Sequence, residues 1–318
     1  MFARFSKALH KAGFYLSGAT TAYLPDALFR PFLQSRLAAL SDYDEQAVMD
    51  RVNYYNRLDA PFDLGDAGVR IGDFRRDGSS AYFLDLKRLA RYFPADYRMH
   101  YLFGDITHVP DVPSFLKSRP IEGDVRNSVL LKLNSVRHYY AESDLLSFEG
   151  KIGKAVWRGV DHMPWRQEFL QRYANSHFCD VGCVGKKARR PEFLKPFMSI
   201  REQLRYRYVV SIEGYDVATN LKWILRSNSL CMMRRPRFET WFMEGRLQAG
   251  VHYVELRDDH ADLEEKIAWY ESHPDEALQI IANARQFSRM FEDARLEELV
   301  GLLVLEKFFR YSGQLLSK

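Results

Sequence analysis

A chain of 318 residues, 47% apolar and 14% aromatic, is long enough for two domains and rich enough to build a core in each. Its 46 basic and 42 acidic residues leave a formal charge of only +4, which argues against a general nucleic-acid binder, whose basic residues gather in one patch. The three cysteines, Cys179, Cys183 and Cys231, are too few for a disulfide framework. With His177 they make only a partial set for zinc, which takes about four ligands, so free thiols in a reducing compartment are expected and no bound metal.

The N-terminus reads MFARFSKALHKAGFYLSGATTAYL. Arg4, Lys7 and Lys11 interrupt its apolar residues, so no secretory h-region forms. Nowhere does the chain hold the run of about 18 apolar residues that a membrane span needs. Helical period places Phe2, Phe5, Leu9 and Leu16 on one face. That pattern suits either a membrane-surface contact through residues 1–17 or a first helix packed on its domain.

Asp44 to Tyr55 and Ala81 to Tyr92 have helical periodicity, with a turn-rich stretch from Gly65 to Gly78 between them. His100 to Phe103 and Ser128 to Leu133 have strand character, and Pro110, Pro113 and Pro120 keep the segment between them extended. The polar, glycine-containing stretch 140–153 divides the chain into domains 1–150 and 151–318. Lys154 to Trp157 is a strand running into Arg158 and Gly159, and Trp165 to Ala174 a helix. Tyr206 to Ile212 is a β-branched and aromatic strand, followed by Gly214, a helix carrying Leu221, Ile224 and Leu225 with Asp216 as its N-cap, and a strand over Ser229 to Met233. Lys266 to Tyr270, Pro274 to Arg289 and Leu296 to Phe309 are helical, the last expected to pack back on the N-terminal domain. Strands alternating with helices give an α/β class with mostly parallel sheets.

The strand–helix–strand stretch 206–233 predicts a βαβ unit. The loop after its first strand presents backbone N–H groups and a helix N-terminus, which suit a phosphate. Gly214 there allows a turn with φ > 0 or a close approach to a ligand, and Thr219 and Asn220 add short polar side chains. Arg158 stands at a strand end, where α/β sheets take ligands, and Arg166 follows on the next helix. Two basic clusters, Lys186, Lys187, Arg189 and Arg190, and Arg234, Arg235 and Arg237, either meet an anion or form solvated faces. Lys222 is expected to lay its stem along the helix with its head in solvent.

Three blocks in order, KAVWRG at 154–159 with Arg166, YRYVVSIEG...NLKWILRSNSL at 206–230, and HYVELRDDHADLEEKIAW at 252–269, resemble glycosyltransferase family 90. That family includes fungal capsule-associated xylosyltransferases, animal protein O-glucosyltransferases and bacterial lipopolysaccharide-modifying enzymes, and this chain is most similar to the last. The resemblance implies a GT-B fold, two Rossmann-like domains with parallel sheets facing a cleft. It implies an inverting, metal-independent transfer from a UDP-sugar donor. The acceptor would be a lipid-linked oligosaccharide at the inner membrane face, which makes the protein cytoplasmic or peripheral on that membrane, without nucleic acid as partner. The donor site would draw on Arg158, Gly159, Arg166, Gly214, Thr219 and Asn220. Glu239 and Glu244 would accept from the ribose hydroxyls, or else lie on an exposed helix face.

An inverting transfer needs a general base for the acceptor hydroxyl. The eukaryotic branch has an Asp after an Arg where this chain has Arg119 followed by Pro120. The nearby carboxylates are Asp105, Asp111 and Asp124; Asp111, in a Pro-Asp pair, fits a turn, and Asp124, then Asp105, are the preferred replacements. The displaced base keeps a second class open, a catalytically silent nucleotide-sugar-binding or scaffold protein. A phosphotransferase ranks last, because no GxxxxGK(S/T) loop and no HRD or DFG set is present.

Overall fold

The computed structural model describes residues 2–185 and 188–315, with side chains from residue 8 onward except at Thr21. Lys186 and Lys187 of the first basic cluster lie outside the described residues. The chain divides into two compact units. One, the sheet unit, holds the chain up to Ala8, His138–Arg237 and Met243–Met290; the other, the helical unit, holds Leu9–Arg137, Phe238–Phe242 and the segment from Phe291 onward. Residues 238–242 and the last helix thus belong with the N-terminal part of the chain.

α1 (Phe2–Tyr23) belongs to the helical unit from Leu9 onward, and α2 (Glu45–Tyr55) and α3 (Ser80–Ala90) are the longer helices that follow there. Asp44 caps α2, its carboxylate accepting from the Ala47 N–H at 3.1 Å. After a two-residue antiparallel pairing of Val69–Arg70 with Arg98–Met99 come three short strands, β1 (Ser114–Leu116), β2 (Ser118–Pro120) and β3 (Ser128–Leu130). β1 and β3 pair in parallel. The strand predicted over His100 to Phe103 is reduced to a single bridge from Tyr101 to Phe115, because the surrounding chain stays irregular.

The sheet unit is built on five parallel strands. These are β4 (Ile152–Gly159), β5 (Cys179–Cys183), β6 (Tyr206–Val210), β7 (Leu230–Met233) and β9 (Val254–Glu255), in the order β9–β7–β6–β4–β5. β8 (Phe238–Thr240) leaves this sheet to pair antiparallel with β2 in the helical unit. Helices α4 (Pro164–Tyr173), α5 (Leu221–Leu225), α6 (Leu263–Ser272) and α7 (Pro274–Arg289) belong to this unit, beside a single turn at Ile200–Gln203, and α8 (Ala294–Tyr311) to the helical unit.

Period-two alternation sets one face of the sheet. Ala155 and Trp157, Val181, Tyr208 and Val210 point into a core shared with Phe169 and Leu170 of α4 and Leu263 and Ile267 of α6. Each such fully buried aliphatic side chain contributes roughly 1.5–3 kcal/mol. β5 is a strand the sequence reading missed. Its alternation is Cys179, Val181, Cys183 inward, so small thiols fill core positions that a cysteine count treats only as chemistry. All three cysteines are free and buried, and burial pushes the Cys179 thiol up to about 12, which makes it inert as a nucleophile.

The helical unit centres on α8, whose Val300, Leu302, Val304, Leu305, Phe308 and Phe309 are buried. Gly301 lets α3 approach, since a Cβ there would sit 2.8 Å from the Leu89 Cδ1. β2 and β8 are locked by a buried ion pair: Arg119 Nε donates to Glu239 Oε1 at 2.8 Å, with both side chains fully buried. The same guanidinium donates to the carbonyls of Tyr54 (2.7 Å), Ser128 (2.9 Å) and Tyr55 (3.2 Å). Next to it Tyr55 stacks on Trp241 at 3.8 Å between ring centroids, and Trp241 Nε1 donates to Glu297 at 2.7 Å.

Candidate functional site

The chain runs from β4 to β5 on one side of β4, then returns to place β6 on the other side. The point between β4 and β6 is therefore the topological switch point, where the carboxyl ends of parallel strands leave a crevice for ligands. The loops that meet there are 160–163, after β4, and 211–220, after β6.

Arg166, on the first turn of α4, ties these two loops together. Its guanidinium donates to the carbonyls of Val160 (2.9 Å), Ile212 (2.7 Å) and Glu213 (3.0 Å). A planar fork with five N–H donors suits three fixed carbonyls. Trp165 beside it donates its indole N–H to the Glu213 carbonyl at 2.9 Å. The Glu213 carboxylate is buried and accepts from Arg234 Nη2 at 2.8 Å, and from Arg237 through Nε and the backbone N–H, both at 3.0 Å. Arg234 and Arg237 each lie 5.3 Å from the Trp165 ring centroid. Two guanidinium groups, of Arg234 and Arg237, thus share the Glu213 carboxylate while Arg166 holds its carbonyl, so three cations stand at the edge around one carboxylate. Asp161, the other buried carboxylate after β4, is spent on the backbone N–H groups of Arg189 (3.1 Å) and Arg190 (2.7 Å).

Two buried nitrogens at this edge have no hydrogen-bond partner among the described residues, Arg234 Nε and His260 Nε2. Such groups are costly unless something pairs them. Burial, helped by the charge of Arg234, pulls His260 down to about 4, so its imidazole is neutral near pH 7.

The family assignment rests on comparison with known proteins. A family model described as glycosyl transferase family 90 matches residues 130–298. The O-glucosyltransferase LpsA of Dichelobacter nodosus is 46% identical over 315 residues, 97% of this chain and 98% of that protein. The chain belongs to glycosyltransferase family 90. It is a glycosyltransferase, a sugar-transferring enzyme. Protein O-glucosyltransferase 2 of Danio rerio is 29% identical over 45% of this chain and 29% of its own length, and human protein O-glucosyltransferase 3 is 26% identical over 52% and 34%. The chain therefore spans about a third of these animal relatives.

Within this family 90 chain the region matched by the family model contains the whole switch-point edge, and Asp105 and Asp124 fall outside it. The structure brings Gly159, Arg166, Gly214, Thr219 and Asn220 to that edge. Gly159 ends β4, where a Cβ would collide with the Trp157 ring. Gly214 has no positive φ, so of the two uses open to it the strained turn is not made; its Cα faces the Arg166 guanidinium. Asn220, not Asp216, is the residue preceding α5, because the helix begins only at Leu221. The Asn220 amide turns back to the strand, donating to the Val210 carbonyl at 3.0 Å and accepting from the Ser211 hydroxyl at 3.1 Å.

Arg158 points to β5 instead. It donates to the Asp180 carboxylate and carbonyl, both at 2.7 Å, and to the Pro196 carbonyl at 3.2 Å. Burial opposes ionisation of Asp180, yet hydrogen bonds from Tyr206, Arg158 and Lys195 outweigh it and hold its carboxyl well below the usual range. Neither Glu239 nor Glu244 lies on an exposed helix face. Glu239 is the buried partner of Arg119 in β8, and Glu244 is buried against Lys222 Nζ at 2.8 Å, so the Lys222 head is in the core and not in solvent. Asp124 is exposed, and hydrogen bonds from Arg126 pull it down to about 2. Asp105 offers one oxygen to Lys117 Nζ. Trp165, Glu213 and His260 are edge residues the sequence reading missed; a carboxylate directly before Gly214 at a strand end was the available signal for Glu213.

His260 supplies a pH prediction. Its folded pKa is below the unfolded value of about 6.5, so its contribution is present above that pH and lost as pH falls toward 4. Asparagine tolerates the positive φ of 57° at this position and does not titrate. His260→Asn is expected to lose about 2 kcal/mol less stability than the parent between pH 7 and pH 5, read from urea unfolding at both pH values. Parallel losses would show that His260 titrates normally.

Proposed function

We propose that the chain transfers a sugar from a UDP-sugar to a hydroxyl of a lipopolysaccharide core or related surface glycan, with inversion and without a metal. The observation that carries this reading is the convergence of Arg166, Arg234 and Arg237 at the switch point, with the buried Arg234 Nε unpartnered. A departing nucleoside diphosphate needs its growing charge held in a preorganised, partly dry site, and fixed guanidinium groups supply that. UDP-glucose is the first donor to try, since the relative of almost equal length is named an O-glucosyltransferase. The glycan acceptor, a cytoplasmic working place and the GT-B class rest on the family resemblance.

For the base we favour Asp105 over Asp124. A base pulled down to about 2 is poorly matched to taking a proton near pH 7, and Arg126 engages both Asp124 oxygens. The test is calorimetric titration with UDP and UDP-glucose in metal-free buffer, followed by turnover. Arg234→Gln is expected to weaken UDP binding at least tenfold; unchanged affinity overturns the donor assignment. Asp105→Asn is expected to bind UDP normally and lose turnover, with Asp124→Asn active; the opposite pattern returns the base to Asp124.

A further inference from the structure

α1 is amphipathic, and it is mounted the wrong way round for a helix that packs on its own domain. Leu9, Leu16 and Tyr23 follow one another at seven-residue intervals, two helical turns, and so share a face. That face is open: Leu9 is 56% exposed, Leu16 70% and Tyr23 88%. The residues that turn inward are Phe14, Gly18 and Ala22, spaced by four on the opposite side, each of intermediate exposure. A Cβ at Gly18 would meet Leu84 Cδ1 at 2.7 Å, so it is the small-residue face that sits against α3. The apolar row continues beyond the helix through exposed Leu24, Leu28 and Phe32. A folded protein leaves such a contiguous row in water only where something covers it.

Charge identifies the cover. The first acidic residue of the chain is Asp26, and before it stand Arg4, Lys7 and Lys11. No helix among the described residues is long and apolar enough to cross a membrane. A helix with an open apolar face, whose charged residues Arg4, Lys7 and Lys11 are all basic, fits the surface of an anionic lipid bilayer, where the apolar side chains enter the acyl boundary and basic ones meet head groups. We propose that α1 and the turn after it, through Leu9, Leu16, Tyr23, Leu24 and Leu28, seat this enzyme on an anionic membrane surface. This deepens the reading of a lipid-linked acceptor, because an enzyme held at the bilayer meets such an acceptor at high local concentration.

The test is co-sedimentation of the full chain with vesicles of phosphatidylcholine alone and of phosphatidylcholine with phosphatidylglycerol. The parent is expected to pellet with the anionic vesicles and to be released as salt rises from about 50 to 500 mM. Leu9→Glu with Leu16→Glu, and separately Lys7→Glu with Lys11→Glu, are each expected to lower partitioning at least tenfold. Circular dichroism and UDP titration should match the parent in both, since neither pair is among the residues that build the switch-point edge. Equal pelleting of parent and leucine variant overturns the proposal. So does a parent that ignores both vesicle types and forms a dimer abolished by the leucine changes, which would make a second copy the cover. Loss of UDP binding by the parent itself would strike the donor reading and leave this one standing.

Discussion

Arg119→Ala is expected to cost the protein about 3–5 kcal/mol, because it takes the nearest cation from a fully buried Glu239 carboxylate and leaves it only the Tyr54 hydroxyl and Arg57 at 3.6 Å among the described residues. The guanidinium also closes the carbonyls of Tyr54, Tyr55 and Ser128, which link α2, β2 and β3, so its removal leaves acceptors unpaired in the same place. Urea unfolding reads the loss directly. Glu239→Gln should be milder than Arg119→Ala, because the amide oxygen still accepts from Arg119 and the three carbonyls keep their donor, although the guanidinium loses its counter-ion. The comparison also separates two roles for Glu239. A carboxylate that serves the ribose would weaken UDP binding when changed and leave stability alone. The ion pair predicts lost stability with UDP affinity preserved in the fraction that folds. A midpoint unchanged in both variants would overturn the structural role.

Arg166→Ala is expected to lower kcat/KM on the order of a hundredfold, the scale seen when a site loses about an ångström of alignment. Its three carbonyl partners lie on two loops that follow β4 and β6, whose pairing with each other ends at Val156 and Val209. Without the guanidinium, the Glu213 carbonyl keeps the Trp165 indole N–H as its side-chain donor among the described residues, and Glu213 is what positions Arg234 and Arg237. Arg166→Lys should restore little, since one ammonium cannot span three carbonyls in a fixed fork. The measurement is turnover with UDP-glucose beside a thermal melt. A variant that keeps kcat/KM within threefold would show that the loops hold their positions unaided.

Much of the sheet unit was legible. Tyr206 to Val210 and Leu230 to Met233 carry β-branched or sulfur-containing apolar runs, and they pair in parallel around α5 as a βαβ unit should. Pro274 at the start of α7 marked its first turn. β5 was hidden because Asp180 and Gly182 alternate with two cysteines, and β8 because a three-residue strand has too few positions to show a period.

By itself the sequence determined the α/β class, the order of strands and helices around the switch point, and membership in family 90, through motifs that are local in the chain. Those features depend on neighbours within a few residues, where side-chain period and backbone propensity act. Tertiary structure alone decided which charges are spent and which remain. Glu239 and Arg119 are 120 residues apart, and Asp180 lies 22 residues from Arg158. An ion pair's meaning depends on burial and on who else competes for its oxygens, and neither is written along the chain. The same holds for α1. The sequence shows an apolar stripe, but only packing against Leu84 through Gly18 shows that the stripe faces outward.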